Sequence, residues 1–409
     1  KQCKKRKEMV EQQTKLQKLL KDKDEQIGQL LKQNKDEWKE CNTNGNSLTP
    51  NCNQLSESNL ELLRSCKLRK TFSGHSKCVY SIDRSSFDGG RFLCSGSEDC
   101  TVRLWDVDTA EQLKIFKHSG YVGCVQFSPY HYNMNHHIVI CSASDDRAIS
   151  FWDIEADKQI QILKGHSAGV RCIQFSPFNG SQCLCSGSWD KTIRLWDIET
   201  SEVLCILKGH AMSVRCVAFS PSQVNNDGNN GNAGMTGSGY TLCSGSNDNT
   251  IRIWDIETMK ELIIFKGHED TVSSVKYGSF ESRISGGANT ILSGSWDKTV
   301  RLWDIRSCQQ IQVFKGHTNV VYAAEYLQFT VNSSDGIQVG DANLMCSASS
   351  DNTIRFWDIR NNSQFYEIKG IDEDKGIYCL QSLSLRNKVD LTSPTLCYGS
   401  NPGLIHLWG

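Results

Sequence analysis

The feature that most constrains the fold of this chain is a Trp-Asp dipeptide that recurs every 44 to 58 residues. Each copy closes a block such as SGSWDKTIRLWD, in which a short strand, a tight polar turn containing Asp and an alternating strand follow one another. A histidine stands 30 to 44 residues before each of these tryptophans. Self-similarity of this kind predicts a repeat architecture. The copies are at Trp105, Trp152, Trp196, Trp254, Trp303 and Trp357, with a degenerate seventh at Trp408.

The repeat unit predicts an all-β fold. Each unit has room for about four short strands, so antiparallel four-stranded sheets arranged around an axis are expected. In its His, Ser, Asp and Trp-Asp motifs the chain resembles the WD-repeat β-propeller family over residues 67–409, which implies seven blades. The seventh copy lacks an outer strand, and the segment Cys66–Phe72 looks like a displaced one. We predict that this segment pairs with Leu404–Trp408 and closes the ring, because closure removes exposed sheet edges.

Two different segments precede the repeats. Residues 1–40 are rich in Lys, Glu and Gln and carry one apolar stripe at three- and four-residue steps. They predict a helix that either forms a short coiled coil with a partner helix or stays solvated alone. Residues 41–60 combine Asn, Ser, Thr, Gly and Pro without periodicity and predict a flexible linker. The propeller domain is then expected over residues 61–409.

Composition restricts the classes of function. With 45 basic and 46 acidic residues the chain has no overall field that would attract nucleic acid, so none is expected as a partner. No apolar run approaches the roughly 18 residues that a membrane helix needs. Many of the nineteen cysteines occupy equivalent positions in different repeats, too far apart for disulfides. They predict small buried side chains and an intracellular location, in the cytoplasm or the nucleus.

Four polar residues recur in each of the first six units, and their types invite comparison with a hydrolase triad. Because the set is present six times, once in each blade, it indicates a structural role that all these blades share. The family resemblance implies that this role is a buried hydrogen-bond network. In blade seven, Ile371, Tyr398 and Pro402 stand at the His, Ser and Asp positions, so we expect that blade to lack the network and to be the weakest. The sets are His75, Ser95, Asp99, Trp105; His118, Ser142, Asp146, Trp152; His166, Ser186, Asp190, Trp196; His210, Ser244, Asp248, Trp254; His268, Ser293, Asp297, Trp303; and His317, Ser347, Asp351, Trp357.

Positions that differ from blade to blade are the candidates for binding. A tryptophan before the Asp turn has few ways to bury itself inside its own blade, although packing against a neighbouring loop is the alternative. Arg171 and Arg215 follow the first-strand valine in adjacent blades and suit one acidic or phosphorylated peptide. Alternatively, each pairs with a rim carboxylate such as Asp145 or Glu98. The predicted binding residues are Tyr80, Tyr121, Arg171, Trp189, Arg215, Trp296 and Tyr322.

Three functions are consistent with these patterns. The leading one is a non-enzymatic platform that binds other proteins or peptides on its rim. The second is a substrate receptor of a ubiquitin ligase that recognises a phosphorylated or acidic motif through Arg171 and Arg215; no adaptor-binding domain is visible in residues 1–66. The third, a propeller enzyme, needs an unrepeated cluster of acids and bases at the central channel, and none is apparent. No catalytic residue, cofactor or metal is therefore predicted, and the loop histidines His131, His136 and His137 are expected to be solvated.

Overall fold

Short strands joined by polar turns build the part of the chain that the structure, a computed structural model, describes. These are residues 64–221, 241–278, 290–327, 330–333, 336–339, 344–383 and 395–409. The described residues form seven four-stranded antiparallel sheets and one two-stranded hairpin. The prediction of an all-β, seven-bladed fold is confirmed. The predicted helix over 1–40 and linker over 41–60 lie outside the described residues.

The first three blades follow one pattern, in which the four strands pair in chain order from the inside outward. Blade one has strands β2 (Val79–Arg84), β3 (Phe92–Ser97), β4 (Thr101–Asp106) and β5 (Gln112–Lys117). Blade two has strands β6 (Val122–Phe127), β7 (Val139–Ser144), β8 (Ala148–Asp153) and β9 (Lys158–Lys164). Blade three has strands β10 (Val170–Phe175), β11 (Cys183–Ser188), β12 (Thr192–Asp197) and β13 (Val203–Lys208).

The remaining blades keep this order. Blade four has strands β14 (Val214–Phe219), β15 (Thr241–Ser246), β16 (Thr250–Asp255) and β17 (Lys260–Lys266). Blade five has strands β18 (Val272–Tyr277), β19 (Thr290–Ser295), β20 (Thr299–Asp304) and β21 (Gln309–Lys315). Blade six has strands β22 (Val321–Tyr326), β25 (Leu344–Ser349), β26 (Thr353–Asp358) and β27 (Ser363–Lys369). Blade seven has strands β28 (Ile377–Leu383), β29 (Thr395–Ser400), β30 (Ile405–Trp408) and, from the start of the propeller, β1 (Leu68–Phe72).

The ring closes as predicted. Strand β1 pairs with β30 in an antiparallel register that places Phe72 opposite Ile405 and Leu68 opposite Trp408. Phe72 is fully buried, and its ring meets the indole of Trp105 in blade one edge-on at 5.8 Å. The seven first strands contact one another in a closed circle, from β2 through β6, β10, β14, β18, β22 and β28 back to β2.

The Ser-Gly-Ser motif of the second strand has a packing reason. A Cβ atom added to Gly187 would lie 2.7 Å from Cγ1 of Val214, the valine that opens the first strand of the next blade. The same close approach joins Gly96 to Val122. The second strands are buried on both faces because each blade packs between two others. The outermost strands instead expose alternate residues, as the pattern of β5 shows.

Insertions follow the first strands of blades two and six. The blade-two insertion contains the helix α1 (Pro129–Asn135), whose N-terminal Ser128 accepts a hydrogen bond from the His131 amide. The blade-six insertion contains the hairpin of β23 (Thr330–Ser333) and β24 (Gly336–Val339). No helix among the described residues is both long enough and apolar enough to cross a bilayer.

Candidate functional site

The recurring polar residues form a hydrogen-bonded chain inside each blade, as blade three illustrates. His166 Nδ1 lies 2.8 Å from Asp190 Oδ2, and His166 Nε2 lies 2.8 Å from Ser186 Oγ. The indole N–H of Trp196 donates to the same Ser186 oxygen at 2.8 Å. Asp190 also accepts from the Thr192 amide and hydroxyl. The chain links the loop before the blade to its second strand, turn and third strand.

The ionisation of this chain follows from its surroundings. Burial opposes charge on Asp190, but the hydrogen bonds from His166 and Thr192 outweigh it and hold the pKa of the carboxyl well below its usual range. Burial lowers the pKa of His166. A neutral imidazole then donates from Nδ1 to the carboxylate and accepts from Ser186 at Nε2. Every polar atom of the chain therefore has a partner.

The Asp, His and Ser order resembles a hydrolase triad, but its surroundings do not. Ser186 is fully buried, and its oxygen already accepts the hydrogen bond of Trp196. Equivalent bonds between His, Ser and Asp occur in all six of the predicted sets. A substrate has no access to such a serine, so the arrangement favours a structural role.

Blade seven requires a correction. Ile371, Tyr398 and Pro402 do stand at the expected positions, but the blade has a buried network of its own instead of none. The Tyr398 hydroxyl donates to Asp374 Oδ2 at 2.9 Å, and His406 Nε2 lies 3.2 Å from Asp374 Oδ1. The acid comes here from the loop before the blade and the histidine from its third strand. Sequence comparison by position misses this network because Asp374 and His406 stand at positions that hold neither an acid nor a histidine of the network in the other blades.

The second candidate region is a cavity at the mouth of the ring, here called the mouth cavity, with a volume of about 470 Å³. It opens where the first strands begin and where the Asp turns join the second and third strands, because these ends of an antiparallel blade lie on one rim. All seven predicted binding residues line it. Their role in binding stays a prediction. The lining consists of Cys78, Tyr80, Glu98, Tyr121, Gly123, Asp145, Arg171, Trp189, Arg215, Ser273, Trp296, Tyr322, Tyr378 and Asn401.

Arg171 is held on three sides. Its guanidinium lies 5.2 Å from the ring centre of Tyr80 and 5.7 Å from that of Trp189. Its Nη1 atom lies 3.6 Å from Oδ1 of Asp145, and both side chains are mostly buried. Of the two possibilities considered for Arg171, a free arginine that binds a peptide or an arginine paired with a rim carboxylate, the structure therefore has the second.

Arg215 has different neighbours. Its Nε–H donates to the amide oxygen of Asn247 at 2.8 Å, and its guanidinium lies 5.0 Å from the ring centre of Trp296. No ion pair joins it to a carboxylate among the described residues. Burial, and then the like charge of Arg171, lower the pKa of Arg215, which indicates that the two cations lie near each other.

The tryptophans differ in exposure. The side chain of Trp189 is exposed, at 46% of its full area, whereas Trp296 is partly covered and meets the ring of Tyr322 edge-on at 6.4 Å. Tyr322 in turn stacks on Tyr378 at 4.5 Å. Packing against a neighbour thus accounts for Trp296, but it leaves much of Trp189 in solvent.

Tyr378 is the functional candidate that the sequence reasoning missed. It follows Ile377 at the start of β28, the same position that Tyr80 holds after Val79. The degenerate seventh repeat has Ile in place of Val, which hid the alignment. Tyr378 can be identified from the sequence by its position, because it directly follows the β-branched residue that opens the first strand of its blade.

The central channel holds an unrepeated charged cluster, which corrects the expectation that there is none. Lys276 Nζ lies 3.0 Å from Oε1 of Glu325, and Asp83 accepts from the Phe127 amide at 2.8 Å and from the side-chain amide of Gln381 at 3.0 Å. Burial raises the pKa of Asp83 to about 6. These bonds connect different blades at the channel wall, and they already engage the polar atoms that an acid–base reaction would use.

Histidine and cysteine positions show no metal-binding geometry in the described part of the chain. His131 Nδ1 lies 2.8 Å from Ser128 Oγ, and His137 Nδ1 lies 3.3 Å from Asp153 Oδ2. No group of three or more potential ligands converges among the described residues. The cysteines described by the structure are all free thiols, and burial raises the pKa of most of them.

Comparison with known proteins gives a family match and short local matches. A family model described as "WD domain, G-beta repeat" matches residues 66–106, 110–153, 157–197, 201–255, 259–304 and 308–358. The ribosome biogenesis protein bop1 of Danio rerio is 47% identical over 58 residues, which are 14% of this chain and 7% of the relative. Protein SUPPRESSOR OF PHYA-105 1 of Arabidopsis thaliana is 39% identical over 59 residues, 14% of this chain and 6% of the relative. Transcription initiation factor TFIID subunit 5 of Encephalitozoon cuniculi is 35% identical over 82 residues, 19% of this chain and 14% of the relative. The aligned segments thus span a small part of each relative.

Proposed function

Because the chain belongs to the WD-domain, G-beta-repeat family, whose propellers typically serve as protein-interaction scaffolds, we propose that it is a non-enzymatic platform with the mouth cavity as its binding site. The bound species is a peptide or a segment of a partner protein. The short matches to relatives cover one or two repeats, so none of the roles named for those proteins is proposed here.

One observation carries the proposal: side chains that differ from blade to blade converge in one cavity. The recurring residues are buried in hydrogen bonds, whereas Trp189 and Tyr121 expose 46% and 40% of their areas at the mouth. Exposed aromatic side chains around a cavity with fixed arginines are typical of the anchors that dominate protein interfaces. The cavity volume of about 470 Å³ accommodates a few side chains of a peptide, not a whole domain.

A second candidate is a substrate receptor of a ubiquitin ligase that recognises an acidic or phosphorylated motif. Its support is that Arg171 and Arg215 both line the mouth cavity and are each held against aromatic rings. Arginines ordered before binding lose little freedom when an anion arrives. An intracellular location fits either function, since the described cysteines are free.

The test compares proteins captured by three forms of the chain, with quantitative mass spectrometry as the readout. The variants are Arg171→Glu/Arg215→Glu in the mouth cavity and the control Lys158→Glu/Lys260→Glu, which reverses two exposed charges at the starts of β9 and β17. We expect the first variant to lose specific partners and the control to retain them. Circular dichroism at the capture temperature checks that both are folded, because Arg171→Glu faces Asp145 and should lower the melting temperature of the cavity variant. Retention of every partner by the cavity variant would reject the mouth cavity as the binding site.

A further inference from the structure

The charges of the mouth cavity are segregated along the ring. Blades one and two contribute the acids Glu98 and Asp145, and blades three and four contribute Arg171 and Arg215. The lining from blades five to seven is uncharged: Ser273, Trp296, Tyr322, Tyr378 and Asn401. Going around the ring from blade one to blade four, the lining therefore changes from two acids to two arginines. Arg171 is next to the acid of blade two, whereas Arg215 is next to the uncharged lining of blade five.

Arg171 already has an anionic partner. The 3.6 Å separation between Arg171 Nη1 and Asp145 Oδ1 joins two side chains that are 12% and 21% exposed. The attraction between charges so well shielded from water is stronger than that of a surface pair, but burial outweighs it and raises the pKa of Asp145, and at 3.6 Å the contact is an ion pair without a hydrogen bond. An incoming anion would have to compete with Asp145 for this guanidinium.

Among the described residues no carboxylate lies within ion-pair distance of Arg215, and Asp145, on whose pKa the charge of Arg215 acts after that of Arg171, is a more distant neighbour. Asn247 engages its Nε–H, and Trp296 covers one face of the guanidinium. The edge formed by Nη1 and Nη2 has no described hydrogen-bond partner. Two parallel N–H groups on one edge match the two oxygens of a single carboxylate.

Aromatic rings in the cavity are already used by the protein's own cations. Lys77 lies 5.4 Å from the ring centre of Tyr121, and Arg171 approaches Tyr80 and Trp189. A cationic ligand would have to displace these side chains from the ring faces, whereas an anionic ligand finds them as a fixed support. The arrangement therefore favours an anion.

We propose, building on the proposed function, that the mouth cavity binds a glutamate or aspartate side chain of a peptide at Arg215, and that Asp145 keeps Arg171 from joining it. The single positive charge of the Arg215 guanidinium balances the single negative charge of the peptide carboxylate. A phosphoserine dianion would face the same single free charge and, in addition, the carboxylate of Asp145. Arg171 is a positioning residue, which orders Trp189 and Tyr80 around the bound segment.

The experiment is an affinity selection from three peptide pools, each with a fixed central residue flanked by four randomised positions on either side. The central residue is Glu, phosphoserine or Gln, and mass spectrometry measures enrichment. We expect the wild-type chain to enrich Glu over Gln by about tenfold, which corresponds to one charge-assisted hydrogen-bonded pair. We also expect Glu to be enriched over phosphoserine.

Variants then separate the roles of the charged residues. Arg215→Gln is expected to remove the preference for Glu, whereas Arg171→Gln is expected to weaken binding of all pools and to keep that preference. Asp145→Asn releases Arg171 and is expected to raise phosphoserine enrichment about tenfold. Asp157→Asn, the same chemical change in an exposed turn on the opposite rim, is the control and should behave as the wild-type chain.

Two results would overturn the proposal in different ways. Wild-type enrichment of phosphoserine over Glu, or a Glu preference that depends on Arg171 and not on Arg215, would reject the assignment of the anion to Arg215 while leaving the proposed platform intact. Equal retention of all pools by the wild-type chain and by Arg171→Glu/Arg215→Glu would reject both the carboxylate site and the mouth cavity as a binding site.

Discussion

Replacement of Asp190 by alanine tests whether the recurring network stabilises the propeller. Four hydrogen bonds end on its carboxylate: from His166 Nδ1 at 2.8 Å, the Ser167 amide at 3.0 Å, and the Thr192 amide and hydroxyl at 3.0 and 2.6 Å. Ser167 is exposed, so water replaces the bond to its amide. The Thr192 amide is left without a partner, and Nδ1 of His166, a side chain that is 1% exposed, keeps only the Thr192 hydroxyl at 3.4 Å, which is too long for a strong hydrogen bond.

The magnitude follows from these two groups. A buried polar group without a partner costs about 1–3 kcal/mol, so the loss for Asp190→Ala is about 2–6 kcal/mol. At about 2.1 cal/mol/K of unfolding entropy per residue, a propeller of this length loses about 3–8 °C of melting temperature. Differential scanning calorimetry, with urea unfolding followed by tryptophan fluorescence, measures both quantities.

Blade two supplies a graded comparison. The Asp146 side chain is 16% exposed, against 5% for Asp190, and Ala148 replaces the threonine whose hydroxyl bonds Asp190. Asp146→Ala should therefore lower the melting temperature by about half as much. Asp108→Ala, at an exposed residue of the turn after β4, is the control. A melting temperature for Asp190→Ala within 1 °C of the control, or a larger loss for Asp146→Ala, would contradict the assigned role of the network.

Three further outcomes are expected. Phe72→Ala should cost about 3–5 kcal/mol, because the ring is buried at the closure of blade seven, whereas Leu68→Ala on the same strand should cost much less; equal urea midpoints would reject closure as a source of stability. The melting temperature should fall as the pH drops below about 6.5, because network histidines such as His166 have lowered pKa values and the unfolded chain therefore binds protons first. It should fall further below about pH 4, because the network aspartates also have lowered pKa values and the unfolded chain again binds the protons. Asp83, with its pKa raised to about 6, acts in the opposite direction, and a melting temperature that rises between pH 7 and 5 would contradict this balance. Among the described cysteines, exposed Cys308 should react with iodoacetamide at least about tenfold faster than buried Cys185, as peptide mapping would show, and equal rates would contradict the structure.

Much of the fold could be predicted from the sequence, because local repetition encodes it directly. The block around Trp196 contains a strand, a turn and a strand within twelve residues, and its recurrence gives the number of blades. The pairing of β1 with β30 was also predictable, since one unit lacked a strand and an unassigned strand stood before the first unit. Blade seven was harder, because Asp374 and His406 stand at positions that neither the acid nor the histidine occupies in the other blades.

The candidate site could be predicted only in part. Position in the repeat was enough to select seven of the fourteen residues that line the mouth cavity, since equivalent positions in a ring point at the same opening. The partners of those residues were not predictable. Whether Arg171 meets Asp145, and Arg215 meets Asn247, depends on side-chain directions across a blade boundary.

The charged cluster in the channel shows the same limit. Asp83, Lys276 and Glu325 lie in three different blades and far apart in the chain, and no spacing rule connects them. The amino-acid sequence by itself determined the blades, their order and the buried network of the first six blades, because those depend on contacts within one repeat. Only the tertiary structure decided which unlike side chains meet at the mouth and in the channel, because those contacts arise when the ring closes and brings distant repeats within a few ångströms.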